Sequence, residues 1–228
     1  MKKRSKVKVW IVAKMFRNNW PESSSDRRCV VGLTENNKNI RFVPRDASQK
    51  LQFEVGQICD VNINKPETIY RPHVENRYVE SSTYIDIEPD LKSFLMEKIS
   101  PWQGGIDQFF NGGLQCGINW SSGVFMELGN YMPSRSIGYW IPDQPLFRTT
   151  IADKYPAYNY RDAVINYSGL EDAGFMIPPR TLVQVSLRPW WPTPDSPEYE
   201  EILLRTPQRC YLTRCASILA KGKAHGVY

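Results

Sequence analysis

Residues 28–45, RCVVGLTENNKNIRFVPR, decide how the first half of this chain is read. The run RCVVGL is rich in β-branched residues, and IRFVP alternates apolar and basic. A polar ENNKN segment between them has the composition of a tight turn. The stretch therefore reads as a β-hairpin with three arginines, Arg28, Arg41 and Arg45, on or beside it. A basic hairpin is either a binding face or an antiparallel pair with a solvated outer side.

The surroundings of the hairpin are also β-type. Residues 6–14, KVKVWIVAK, alternate cleanly. This predicts a first strand with Val7, Val9, Ile11 and Ala13 toward a core, and Lys6, Lys8, Trp10, Val12 and Lys14 on the other side. Downstream, Gly56 marks a turn and 57–63 reads as a fourth strand. A proline-broken, aromatic connection then returns toward a strand near Tyr78. The best helical pattern follows the acidic run Glu88, Pro89, Asp90, with Leu91, Phe94, Leu95 and Ile99 at helical spacing. The glycine-rich stretch 101–123 reads as a bridge. Beyond it, short strand-like runs recur at 124–129, 136–142, 146–152, 162–169, 181–192, 201–205 and 209–220.

This pattern predicts an all-β protein with one short helix, built as two OB-like β-barrels in tandem. The expected domains are 1–88 for the first barrel, 89–123 for a helix and connector, and 124–228 for a second barrel with a basic tail. With 228 residues the chain can bury a core without disulfides. Its five cysteines are odd in number and contain no CxxC, and Cys29, Cys59 and Cys210 sit in apolar runs. They read as buried thiols of a reducing, cytoplasmic compartment. The basic N-terminus lacks a small-residue cleavage site, and no apolar run approaches 18 residues, so neither a signal peptide nor a membrane span is expected.

The net charge of +5 is unevenly distributed. Residues 1–50 carry +9, residues 51–204 carry −9 and residues 205–228 carry +5. A polyanion therefore suits a face built from the two ends, and internal charge matching is the competing explanation. In an OB-type barrel, strands 2 and 3 and the loops between strands 1–2 and 4–5 bind oligonucleotides. Basic and aromatic residues occupy all three places. The expected nucleic-acid-binding set is Lys8, Trp10, Arg17, Trp20, Arg28, Arg41, Arg45, Tyr70, Arg71 and Arg77. Arginines and lysines would neutralise phosphates, and Trp10, Trp20 and Tyr70 would stack on bases.

Other chemistry finds less support. His73 lacks an obvious partner, Ser121 and Ser122 are not in a nucleophile elbow, and the QGG and NGG runs lack a P-loop lysine. No catalytic residue, metal ligand or cofactor is expected. Asp86 and Glu88 could serve a metal-dependent nuclease, but no lysine follows at the required spacing. The RPWWP corner at 188–192, with Trp190 and Trp191, and the acidic loop 195–201 make a protein-interaction adaptor the alternative.

Two segments carry a family likeness. RCVVGL with IRFVP and VGQICDVNI, then VINYSG, IPPRTLVQVSLRPWW and RCYLTRC, resemble the dual-OB-containing domain proteins of prokaryotes across about 28–63 and 164–215. The resemblance implies two tandem OB-like barrels and nucleic-acid handling in defence-type systems. It implies no catalytic set.

Overall fold

The computed structural model describes residues 5–16, 28–46, 48–69, 71–112, 115–116, 124–127, 133–151, 155–170, 172–187 and 209–217. The fold is all-β. In chain order the elements are β1 (Ser5–Phe16), β2 (Arg28–Thr34), β3 (Asn39–Phe42), β4 (Gln57–Asn64), β5 (Asn76–Ile87), α1 (Leu91–Lys98), β6 (Trp102–Gly104), a 3-10 segment (Ile106–Gly112), β7 (Gln115–Cys116), β8 (Val124–Glu127), β9 (Ile137–Pro142), β10 (Leu146–Ile151), β11 (Tyr155–Tyr160), β12 (Ala163–Tyr167), β13 (Met176–Ile177), β14 (Val183–Leu187) and β15 (Arg209–Ser217).

The first five strands close into a barrel in the order β1-β2-β3-β5-β4, with β4 returning to β1. All pairings are antiparallel except β3 with β5. The hairpin forms as its composition predicts. Thr34 N–H donates to the Lys38 carbonyl at 2.9 Å, and Asn37 takes the left-handed conformation that Asn tolerates (φ 56°). Gly32 lets β1 and β2 approach closely: a Cβ there would overlap Val9 Cγ1 and lie 3.0 Å from the Trp10 carbonyl oxygen.

Val9, Ile11, Val30, Ile40, Phe42, Cys59, Val61 and Ile63 fill the barrel, joined by Leu51 and Phe53 from the loop after β3. The strict alternation of β1 ends at a register shift between Ile11 and Ala13. Val12, Ala13 and Met15 enter a second cluster with Cys29, Val31 and Leu33 from β2, Leu91 and Leu95 from α1, and Ile137, Tyr139 and Leu182 from the second half. The wall of β1 and β2 is thus apolar on both sides. From Val12 onward in β1 its outer side is covered.

The second half is one ten-stranded sheet with the path β13-β10-β11-β12-β15-β14-β9-β6, and β8 pairs β15 and β7. No pairing joins β13 to β6 among the described residues, and a second closed barrel is not confirmed. A third core underlies this sheet, from Trp140, Leu146, Tyr158, Tyr160, Ile165, Val183 and Val185 with Phe109 and Phe110. The stretch expected as a connector supplies part of this packing. β6 pairs in parallel with β9, and Trp102 stacks on Phe109 at 5.2 Å. Asp90 caps α1 by accepting the Ser93 N–H at 3.1 Å, and Phe94 stacks on Trp10 at 4.8 Å. Cys29 and Cys59 are buried in the apolar clusters on the two sides of the barrel wall. Among the described residues no helix is long and apolar enough to cross a membrane.

Candidate nucleic-acid interface

The basic hairpin meets the second half along a polar seam. Arg41 is 5% exposed. Its Nη1 donates to His73 Nδ1 at 3.1 Å and to Asn76 Oδ1 at 3.3 Å, and its Nη2 donates to Ser186 Oγ at 3.2 Å. Glu75, also buried, accepts from Ser136 N–H at 2.7 Å, Ser136 Oγ–H at 3.0 Å and Ile137 N–H at 3.2 Å. A charged side chain enters such a place only when its hydrogen-bonding groups are met. The seam meets them from both halves.

This burial decides where the expected residues stand. Arg41 faces protein, not solvent, and has no phosphate-binding edge to offer. Trp10 is half-buried under Phe94, so its stacking face is already occupied. Arg45 is exposed at the barrel rim, where it pairs with Glu80 and lies 5.4 Å from the Tyr78 ring centroid. Lys8 is exposed on β1, and Arg71 is exposed in the turn before β5. Arg77 is half-buried in a cleft at the end of β4 and the start of β5. Arg28 begins β2. Arg17, Trp20 and Tyr70 lie outside the described residues, as do Trp190, Trp191 and the loop 195–201. Among the described members, Arg41 and Trp10 are covered by protein, whereas Lys8, Arg45 and Arg71 are exposed.

The hairpin tip gives a different result. Asn37 and Asn39 of the turn, Lys98, Ile99 and Ser100 at the end of α1, and Arg135, Gly138 and Tyr139 of the second half line a crevice of about 170 Å³. Lys98 and Arg135 make no ion pair among the described residues, and no carboxylate lines the crevice. Lys98 occupies the last turn of α1, the end that the helix dipole makes favourable for a cation. The Arg135 guanidinium lies 5.7 Å from the Trp102 ring centroid, which orients it through a cation–π contact. Tyr139 Oη–H donates to Asn39 Oδ1 at 3.0 Å and fixes one wall. Lys38 is exposed between the two asparagines.

None of Asn37, Asn39, Lys98 or Arg135 belongs to the set expected from the sequence. The polar ENNKN turn was a signal, but it reads as a connection until something stands opposite it.

Asp86 and Glu88 make local hydrogen bonds to backbone N–H groups. Asp86 Oδ1 accepts its neighbour Ile87 N–H at 2.8 Å, and Glu88 Oε1 accepts the Asp90 N–H at 3.3 Å. Among the described residues no group of three or more His, Cys, Asp or Glu is placed to hold a metal. No protein-family model and no curated protein matches the chain.

Proposed function

We propose that this chain is a non-catalytic nucleic-acid-binding protein that engages a single-stranded or structured nucleic acid at the hairpin tip. The observation that carries this reading is the pair of cations, Lys98 and Arg135, in a crevice with no facing carboxylate. At about 170 Å³ the crevice is smaller than the ~300–1,000 Å³ typical of small-molecule sites. It suits one group of a long chain, such as a backbone phosphate. Lys98, Arg135 and Lys38 supply the charge, and the asparagine amides supply neutral donors. The resemblance to dual-OB-containing domain proteins supports the same reading and suggests a cytoplasmic, prokaryotic defence-type setting.

The test is an anisotropy titration with single-stranded DNA and RNA oligonucleotides across a salt series. Affinity falls linearly with log salt, and a Lys98→Ser, Arg135→Ser double variant loses about two from the slope. Absence of binding at low salt, or an unchanged slope in the double variant, overturns the proposal.

A second reading, a protein-interaction adaptor, is favoured by one observation. Residues 81–87 of β5 are all exposed, including Tyr84 at 58%, Ile85 at 43% and Ile87 at 54%. β5 pairs β3 only at Asn76 and Arg77, so the edge of 81–87 away from β4 has no strand partner among the described residues and invites pairing with another chain. A partner retained after nuclease and high salt, and lost with Ile85→Lys, would favour it.

A further inference from the structure

Arg77 stands apart from the seam and from the hairpin tip. It lines a cleft of about 550 Å³ at the ends of β4 and β5, within the size range of small-molecule sites. Its Nη1 donates to the Val74 carbonyl at 2.7 Å and to the Asn76 carbonyl at 2.6 Å. Those two bonds fix the plane of the guanidinium. Its Nε and Nη2 make no hydrogen bond to the described residues. The nearby carboxylate of Glu75 is spent on Ser136 and Ile137. Arg77 is therefore a half-buried, immobilised cation with no carboxylate paired to it among the described residues. Burial pulls its pKa below the ordinary arginine value, with Glu75 opposing. An anion beside the guanidinium would offset that desolvation.

The rest of the cleft extends the same chemistry. Lys65 adds a second, exposed cation, against the single acid Glu67. Asn64 is 7% exposed, and its Nδ2 donates to Glu80 at 2.7 Å. Ile63 and Pro66 contribute apolar wall.

We propose that this cleft is a binding site for a small organic oxyanion with an apolar body. The oxyanion lies against the free edge of Arg77 and beside Lys65, in the planar geometry that guanidinium offers to carboxylate or phosphate. The apolar body lies on Ile63 and Pro66. The site is separate from the hairpin tip and does not depend on nucleic-acid binding there.

Two probes distinguish the anion's chemistry: benzoate and phenyl phosphate, titrated into the ¹⁵N-labelled full chain by NMR. Saturable shifts of the Asn64, Lys65, Glu67 and Arg77 amides are expected with at least one probe. Response to benzoate alone assigns a carboxylate, and response to phenyl phosphate alone assigns a phosphate ester. Arg77→Gln should weaken binding at least about tenfold, and Lys98→Ser should leave it unchanged. Lys65→Gln, at an exposed position, should weaken it too and serves if Arg77→Gln does not fold. No saturable shift up to about 10 mM of either probe overturns the proposal, as does equal binding by the cleft variants. Displacement of the probe by an oligonucleotide overturns it as well, because the cleft would then belong to the nucleic-acid surface.

Discussion

Arg41 and Arg45 stand four residues apart on one hairpin and occupy different media. Arg41 is 5% exposed, and its guanidinium is held by His73, Asn76 and Ser186. The Arg45 side chain is 50% exposed and pairs with Glu80 at the rim. The first joins the barrel to the second half, and the second decorates a surface. Basic residues along a strand therefore do not define a positive face. What defines it is which of them the rest of the chain has already satisfied. In this protein the middle of the hairpin is satisfied, and its tip, with Lys98 and Arg135 nearby, is left open.

The seam is where the contrast can be broken most severely. Glu75→Ala removes a buried carboxylate and strands the N–H of Ser136 and Ile137 and the Ser136 hydroxyl. It should cost about 3–5 kcal/mol in denaturant unfolding, the range for breaking a buried charged network. Arg41→Ala should cost somewhat less, about 2–3 kcal/mol, because the partners it leaves are neutral. A loss below about 0.5 kcal/mol in both, the range of ordinary surface substitutions, would mean that water replaces the seam freely and that Arg41 is open to ligands after all.

Much of the barrel is legible in the sequence. The alternation of β1, the β-branched run of β2 and the polar turn require only local physics, and the hairpin forms as read. The face of the hairpin that is covered was not legible. An arginine on an amphipathic strand looks the same whether it meets water or a buried serine. Its deciding partner, Ser186, is 145 residues away.

The described part of the glycine-rich stretch shows a related limit of local reading. Its glycines suggest a linker, whereas Trp102, Phe109 and Phe110 pack it into the third core. β11 is absent from the strand-like runs of the sequence; Pro156 weakens its strand signature, although it sits opposite Thr150 in the ladder. The hairpin-tip crevice needs three separate segments, and no one of them announces it.

Gly138 lies where seam and crevice meet. It is in β9, next to Ile137 of the seam, and it also lines the crevice. A Cβ at this position would fall inside the Trp102 ring. Trp102 cannot move freely, since it stacks on Phe109 and meets Phe110 edge-on at 4.8 Å. Gly138→Ala should cost about 1–3 kcal/mol as an overpacking change. It should also weaken oligonucleotide binding, because the displaced ring no longer orients Arg135. Lost stability with unchanged affinity would separate Trp102 from the crevice and leave Lys98 as its main cation.

The smallest effect belongs to the residue that looked most like a phosphate ligand. Arg45→Ala removes an exposed ion pair with Glu80 and a contact with the Tyr78 ring. Solvent screens the first, and the second is worth little at the surface, so unfolding stability should change by about 0–1 kcal/mol. The difference from the parent should shrink further as salt is raised. Oligonucleotide affinity should stay within about twofold of the parent if binding is confined to the tip, since Glu80 already neutralises Arg45. A drop in affinity comparable to that of the Lys98, Arg135 double variant would extend the binding surface from the tip along the rim. The strand would then run past Tyr78, and the open part of the hairpin would include Arg45 while Arg41 stays enclosed.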